Sequence, residues 1–491
     1  MFESAELGHT LSKTAFERQL PRLRKALLDV QFDLLQSAPS SVVILVHGMD
    51  GAGKGETINT LNSWMDARHI LTVGIDGASD EERLHAFMWR FWRLLPRKGK
   101  MGLFSGSWYS DSFNMGMLRK RGNTDLDREL DRIQRFERML AQEGVLVLKF
   151  WLHLSKEQQR ARFVALERRK KTRWRVTKRD WKHHARYDKF HALAERVLRA
   201  TDAAHAPWVV VEGNDVRYRH FTVAKTVLQA LSTCLKQKKS AAIEVPASLL
   251  APARDTSLLD NLVLAQHLPR GSYVKELERY QGKLNRLSRE AKFRDISVVT
   301  VMEGVDAAGK GGAIRRITAA LDARIYRVVP TAAPTDEERA HPYLWRFWRQ
   351  APQRGQVVIF DRSWYGRVLV ERVEGFASAA EWMRAYGEIN DFEEQLAEGG
   401  AIVTKYWLQI SHGEQLERFS AREKTGYKKY KITPEDWRNR AKWNDYQRAT
   451  CDMIDHTSTE LAPWVLVEAE NKYYARIKVL KDLCQRIEAK L

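Results

Sequence analysis

Short runs of consecutive apolar residues alternate along this chain with longer segments whose apolar positions recur at helical spacing. Phe16 to Gln36 carries Leu20, Leu23, Leu27 and Val30 on one face and predicts an amphipathic helix. Val42–Val46 is a continuous apolar run and predicts a buried strand. The later runs Val298–Met302, Val357–Phe360, Ile402–Leu408 and Trp464–Val467 read the same way, each followed by a helix-compatible stretch. Strands of this kind, separated by helices, predict an α/β fold with a parallel sheet covered on both faces. Ligands then bind at the carboxyl ends of the strands.

The pattern repeats. Gly48-Met-Asp-Gly-Ala-Gly-Lys-Gly55 returns as Gly304-Val-Asp-Ala-Ala-Gly-Lys-Gly311, an offset of 304 − 48 = 256 residues. At the same offset Arg90-Phe-Trp-Arg93 matches Arg346-Phe-Trp-Arg349, and Ser107-Trp-Tyr109 matches Ser363-Trp-Tyr365. Lys149 and Trp151 match Lys405 and Trp407, and Pro207-Trp208 matches Pro463-Trp464. Constant register over that span is an internal duplication, and a unit of about 230 residues is a whole domain, too long for a solenoid repeat. The reading is a tandem duplication of α/β domains at 1–236 and 272–491, each a parallel sheet sandwiched by helices. Residues 237–271, with Pro246, Pro252 and Pro269 and weak periodicity, read as a linker.

Composition narrows the class. The chain has 491 residues, 44% hydrophobic and 29% charged, which describes an ordinary globular protein with ample core. No apolar run is long enough for a membrane span, and the amino-terminal residues lack a signal-peptide pattern, so a cytoplasmic protein with no membrane partner is expected. Cys234, Cys451 and Cys484 form neither metal spacing nor a disulfide framework, and read as small buried residues. The net charge of +20 calls for a polyanionic partner. Its spread through helical segments argues against a simple basic-arm binder.

The loop at Gly304 fits the G-x-x-x-x-G-K part of a phosphate-binding turn, in which backbone amides and the next helix's N-terminus face an anion. Gly304, Ala307, Ala308, Gly309, Lys310, Gly311 and Gly312 are therefore phosphate-binding candidates. Gly311 stands where the usual motif has a magnesium-holding Ser or Thr, and an acid, Asp306, lies inside the loop. After the strand Val357–Phe360 comes Asp361-Arg-Ser-Trp-Tyr-Gly-Arg367. A strand-end acid downstream of a phosphate loop is where a Walker-B-type magnesium ligand belongs, so Asp306 and Asp361 are the metal candidates. Arg362 is placed to clamp phosphate oxygens; the bland alternative is a solvated Asp-Arg loop.

Lys405 lies inside an apolar strand and needs a partner or a ligand. A structural ion pair, shared with Lys149, and a phosphate contact are both open. Ser411 caps a helix carrying Arg418 and Arg422 on one face, followed by Lys424, Lys428, Lys429 and Lys431. At this place in a nucleoside-phosphate kinase stands a mobile lid, although such a run is also what a solvated helix face looks like. Thr335-Asp-Glu-Glu338 has the form of a capping box, and the aromatic–arginine stripe after it reads as packing.

Taken together, the loop, the Asp361-Arg-Ser-Trp-Tyr-Gly-Arg367 stretch with Glu371 after it, and the basic segment around Arg418 and Arg422 resemble the polyphosphate kinase 2 family, in its fused two-domain form. The resemblance covers both halves. It implies a P-loop kinase fold, magnesium, and phosphoryl transfer between inorganic polyphosphate and a nucleotide. The fused architecture points to AMP as acceptor, giving ADP, with ADP as acceptor the alternative. Asp306, Lys310, Asp361, Arg362 and Arg422 would be catalytic, and Arg367, Glu371, Lys405 and Arg418 would help hold phosphate or nucleotide. The +20 charge is then a polyphosphate channel, with no nucleic acid needed. An ATP-dependent nucleotide kinase and a nucleic-acid binder are the competing classes, and assembly into a homo-oligomer is left open.

The first half departs from this pattern in a cluster. Asp361 becomes Ser105, Arg362 becomes Gly106, Arg367 becomes Asp111, Glu371 becomes Met115 and Arg422 becomes Leu166, while Asp50 and Lys54 remain. The expectation is a catalytically inactive first domain and a second domain that works alone.

Overall fold

The structure is a computed structural model that describes residues 1–113, 123–236, 257–426, 430 and 432–491. Met115, Lys428, Lys429, Lys431 and residues 237–256 of the expected linker lie outside the described residues. The chain divides into two compact units. Met1–Gly77, Phe91–Lys239 and Pro334–Trp345 form the first; Ala78–Arg90, Ser240–Ala333 and Arg346–Leu491 form the second.

Each unit is built on one five-stranded parallel sheet with helices between the strands. In the first, β1 (Ser41–Gly48), β2 (Ile70–Gly74), β3 (Met101–Ser105), β4 (Val145–His153) and β5 (Trp208–Glu212) lie in the order β2-β3-β1-β4-β5. In the second, β6 (Ser297–Gly304), β7 (Tyr326–Pro330), β8 (Val357–Asp361), β9 (Ala401–Gln409) and β10 (Trp464–Glu468) repeat that order as β7-β8-β6-β9-β10. The central strand of each is buried along almost its whole length, which is why it reads as an unbroken apolar run. Register fixes what each strand end presents: Met302 of β6 lies opposite Asp361 of β8, and Gly304 opposite Leu408 of β9.

Two elements differ from the sequence expectation. The edge strands β2 and β7 have half-exposed, mixed residues, including Arg327 in β7, so neither the continuous nor the alternating strand signature appears. The capping box at Thr335 forms, with Thr335 N–H donating to Glu338 at 2.8 Å, but the helix it starts is only Asp336–Arg339. The aromatic stripe is packing: Phe347 and Trp348 are 2% and 1% exposed.

Beneath each strand-end turn lies the same buried knot. Lys405 Nζ donates to Glu393 (2.7 Å), to the Tyr365 hydroxyl (2.8 Å) and to the Thr457 carbonyl (2.6 Å). Tyr365 and the Trp364 indole also donate to Glu393. Lys149, Glu137, Tyr109, Trp108 and Thr201 repeat the arrangement in the first unit. This corrects the phosphate-binding reading of Lys405. It is fully buried and all three of its N–H donors are engaged, so it is a structural ion pair, as Lys149 is.

Candidate active site

The phosphate loop of the second unit leaves β6 at Gly304. Its φ is +141°, and a Cβ there would lie 2.4 Å from the Leu408 carbonyl oxygen, so only glycine fits between these strands. The chain turns through Ala307, itself left-handed at φ 66°, and enters helix Lys310–Thr318 after Gly309. Lys310 Nζ donates to the carbonyls of Gly304 (2.7 Å) and Val305 (3.3 Å) and lies 4.0 Å from Asp306. The amides of Ala308 and Gly312 are engaged within the turn, bonded to Val305 and Gly309. Those of Asp306, Ala307, Gly309, Lys310 and Gly311 take no acceptor among the described residues. These five remain to meet an anion, with the positive end of the helix behind them.

Arg418 supports this loop from behind. Its guanidinium donates to the carbonyls of Ala307 and Ala308, both at 3.0 Å, to those of Ala469 (2.8 Å) and Glu470 (2.7 Å), and to Glu414. All five donors are taken and the residue is 6% exposed. The expected phosphate contact from Arg418 is therefore replaced by a bracing role. Arg422, one turn on, is half-buried in the last turn of helix His412–Glu423. Ser411 caps that helix, accepting from the Glu414 amide.

β8 delivers Asp361 beside the loop. Its carboxylate makes no hydrogen bond or ion pair among the described residues. Arg362 follows with φ 61°, a left-handed conformation that costs a non-glycine residue about 1–2 kcal/mol. Its guanidinium donates to Asp306 Oδ1 at 3.0 Å and lies 3.8 Å from Glu435. Asn439, from helix Pro434–Ala441, donates to the other Asp306 oxygen at 2.9 Å. Burial raises the Asp306 pKa, but Lys310 and Arg362, with the two hydrogen bonds, outweigh it and hold the carboxyl below its usual value. Glu303 goes the other way: burial pushes its carboxyl up, despite Lys310 nearby and a 2.8 Å bond from Ser363. Arg367 and Glu371 are partners of each other at 2.8 Å, and Arg367 is also 3.9 Å from Glu381.

Some of these groups line one cavity; Lys310, Asp361, Arg367, Glu371 and Arg418 are not part of its lining. Glu303, Asp306, Arg362 and Asn439 are polar groups of its lining, and Leu369, Val370, Trp407, Trp443 and Tyr446 are its large apolar and aromatic ones. Sequence reasoning missed Glu303 and Asn439. The signal was present in the duplication, because the first unit has His47 and His183 at those two positions. The two carboxylates expected to hold magnesium both flank Lys310, and each influences its titration. Hard oxygen donors, one of them without a protein partner, fit that ion, which commonly takes one or two carboxylates and completes its shell with water and phosphate.

In the first unit, Lys54 keeps its bonds to the Gly48 and Met49 carbonyls and pairs with Asp50 at 3.2 Å. His183 lies 2.8 Å from the other Asp50 oxygen. The strand end carries Ser105 and Gly106 in place of the acid and the arginine.

The family description for polyphosphate kinase 2 matches this chain twice, over residues 10–239 and 267–491. A polyphosphate:AMP phosphotransferase of Pseudomonas aeruginosa is 53% identical over 100% of this chain and 99% of its own length. One from Acinetobacter johnsonii is 37% identical over 94% of this chain and 95% of its own. A GDP-polyphosphate phosphotransferase of Mycobacterium tuberculosis is 39% identical but matches only 44% of this chain. A crystal structure described as polyphosphate kinase 2 from Pseudomonas aeruginosa superimposes with a TM-score of 0.92, at 51% identity, over 100% of this chain and 99% of that one.

Proposed function

This chain belongs to the polyphosphate kinase 2 family, and from that premise we propose that it transfers the terminal phosphate of inorganic polyphosphate to AMP, giving ADP. The acceptor follows the full-length relatives, which are polyphosphate:AMP phosphotransferases. The observation that carries the reading is the partnerless Asp361 carboxylate beside the Arg362–Asp306 bridge, at the mouth of a loop with five unengaged amides. Phosphate oxygens on those amides and on Lys310 release Asp306 from part of its present pairing. Arg362 then turns from Asp306 to the transferring group, where its planar fork holds two oxygens at once. Asp306 and Asp361 would hold magnesium, which when bound would offset negative charge on the phosphates. The AMP phosphate is already an anionic nucleophile, so no strong base is required, and rate enhancement comes from positioning and electrostatics. The apolar and aromatic lining of Leu369, Trp407, Trp443 and Tyr446 suits the nucleoside. Turnover is confined to the second unit, because the first has neither Asp361 nor Arg362. The cytoplasm, where nucleotides and polyphosphate meet and the free cysteines stay reduced, is the compartment this chemistry fits.

The test is incubation with polyphosphate, magnesium and AMP, with no ATP present, and identification of the nucleotide product. ADP is expected. Asp361→Asn should lower its rate by about 10³-fold, the scale of losing one main charge-stabilising group. ADP formed only when ATP is supplied, or a near-normal rate for Asp361→Asn, overturns the proposal.

A further inference from the structure

Five loop amides without acceptors are also found in the first unit, where no transfer chemistry is expected. Among the described residues they belong to Asp50, Gly51, Gly53, Lys54 and Gly55, and the Glu56 amide at the helix start takes no acceptor either. Lys54 is more open than its counterpart, its side chain 31% exposed against 12% for Lys310. The loop faces a cavity of about 620 Å³, within the range of small-molecule sites and larger than the roughly 100 Å³ of the second unit. Its lining carries Lys54, Arg179 and Arg186 together with a wall of three mutually packed rings, Phe113, Trp151 and Phe190, with centroids 5.5 to 6.0 Å apart. The Trp151 indole N–H has no acceptor among the described residues, whereas Trp407 donates to Gln409 at 2.8 Å.

We propose that this first-unit cavity is a non-catalytic binding site for a nucleoside monophosphate, with the phosphate on the Lys54 loop and the base against the aromatic wall. The charges select this class over a phosphate chain. The three cations of the lining are equalled in number by Asp50, Asp76 and Asp111, so the cavity offers a single phosphate the loop amides and Lys54 but offers a phosphate chain no cationic track. The ring wall, in turn, gives a planar base apolar contact that inorganic phosphate cannot use. Binding here leaves the ligand unchanged: Ser105 and Gly106 supply neither a metal-holding carboxylate nor a clamping guanidinium. The inference rests on the assignment of turnover to the second unit.

Calorimetric titration of the full chain with AMP, without polyphosphate so that nothing reacts, counts the sites. Two AMP per chain are expected. Lys54→Ala and Phe190→Leu should each weaken one of them at least tenfold and leave the other, with melting curves confirming the fold. That site should persist when magnesium is chelated, since no strand-end acid is present to use it. A single AMP per chain, unaffected by either variant, overturns the proposal, as does a first-unit site that takes tripolyphosphate in preference to AMP. ADP formation by the Lys54→Ala chain is measured alongside. Its failure to form in wild type as well would sink the functional reading while the site count still stood or fell by itself.

Discussion

At the end of β3 and at the end of β8 the backbone makes the same turn, and the two copies fill it differently. Gly106 has φ 84° and Arg362 has φ 61°. The first unit puts glycine in the left-handed position, where it is free of strain; the second puts an arginine there. The strained residue is the one that reaches Asp306. The supports around the turn, by contrast, are held constant even when their residues change. Arg418 braces the second loop through the Ala469 carbonyl. In the first unit the matching carbonyl, that of Gly213, is bonded at 2.7 Å by Arg219, from a different helix. The buried knots at Lys149 and Lys405 correspond atom for atom. The duplication preserved a scaffold, and at the strand-end turn it placed strain where a charge is needed.

The largest effect should come from undoing that strain. Arg362→Gly is expected to cost about 10³-fold in turnover, the low end for an arginine acting on a transferring phosphoryl group. Stability should stay within about 1 kcal/mol, since relief of the left-handed strain offsets glycine's greater chain entropy. The reverse change in the other unit should do the opposite. A Cβ at Gly106 would sit 2.4 Å from the Ile75 carbonyl, so Gly106→Arg should cost about 1–3 kcal/mol and leave turnover intact. Thermal melts and initial rates on the two variants decide it. A low-melting Arg362→Gly chain would make that arginine part of the scaffold.

The second effect should be symmetric. Lys405→Met and Lys149→Met each leave a buried carboxylate unpaired, at about 3–5 kcal/mol. Hydrogen-exchange protection, read separately in each unit, should fall by similar amounts in the mutated unit. The fraction of Lys405→Met that remains folded should keep its KM for polyphosphate. A raised KM would restore the phosphate contact that the geometry removes from Lys405.

What the sequence made legible was whatever repeats locally. Continuous apolar runs gave the inner strands, glycine spacing gave the loop, and the fixed offset gave the duplication and the loss of Asp361 and Arg362 from the first half. Basic residues were harder, because a cation's partner is chosen by the fold. The carbonyls that take up Arg418 come from Ala307, Ala308, Ala469 and Glu470, on either side of it in sequence and far from it in number. The carboxylate that neutralises Lys405 projects from helix Ala379–Glu398. Neither assignment can be made from neighbours along the chain. Of the edge strands, β10 was legible as an apolar run, but β2 and β7 escaped for a related reason: largely exposed or half-exposed, they carry no burial pattern to read.

The smallest effect separates the units by pH. His47 and Glu303 occupy one position, each bonded to the serine after the strand-end turn, at 2.7 Å to Ser107 and 2.8 Å from Ser363. Burial, helped by Lys54, lowers the His47 pKa from 6.5 to about 3. Its stabilising contribution is therefore full above pH 6.5 and is lost as pH falls toward 3, by about 1.4 kcal/mol per pH unit at most. His220, lowered to about 4 chiefly by burial, acts in the same direction in the same unit. Burial moves Glu303 upward instead, so its contribution is present below about 4.5 and declines as pH rises. Acidification from pH 7 to pH 5 should therefore open the first unit more than the second, measured by hydrogen exchange corrected for intrinsic rate. His47→Gln, which can keep a bond to Ser107, should remove about one proton from the first unit's pH dependence. Equal acid sensitivity of the two units, or an unchanged slope in His47→Gln, would mean that this exchange of side chains has no energetic consequence for the fold.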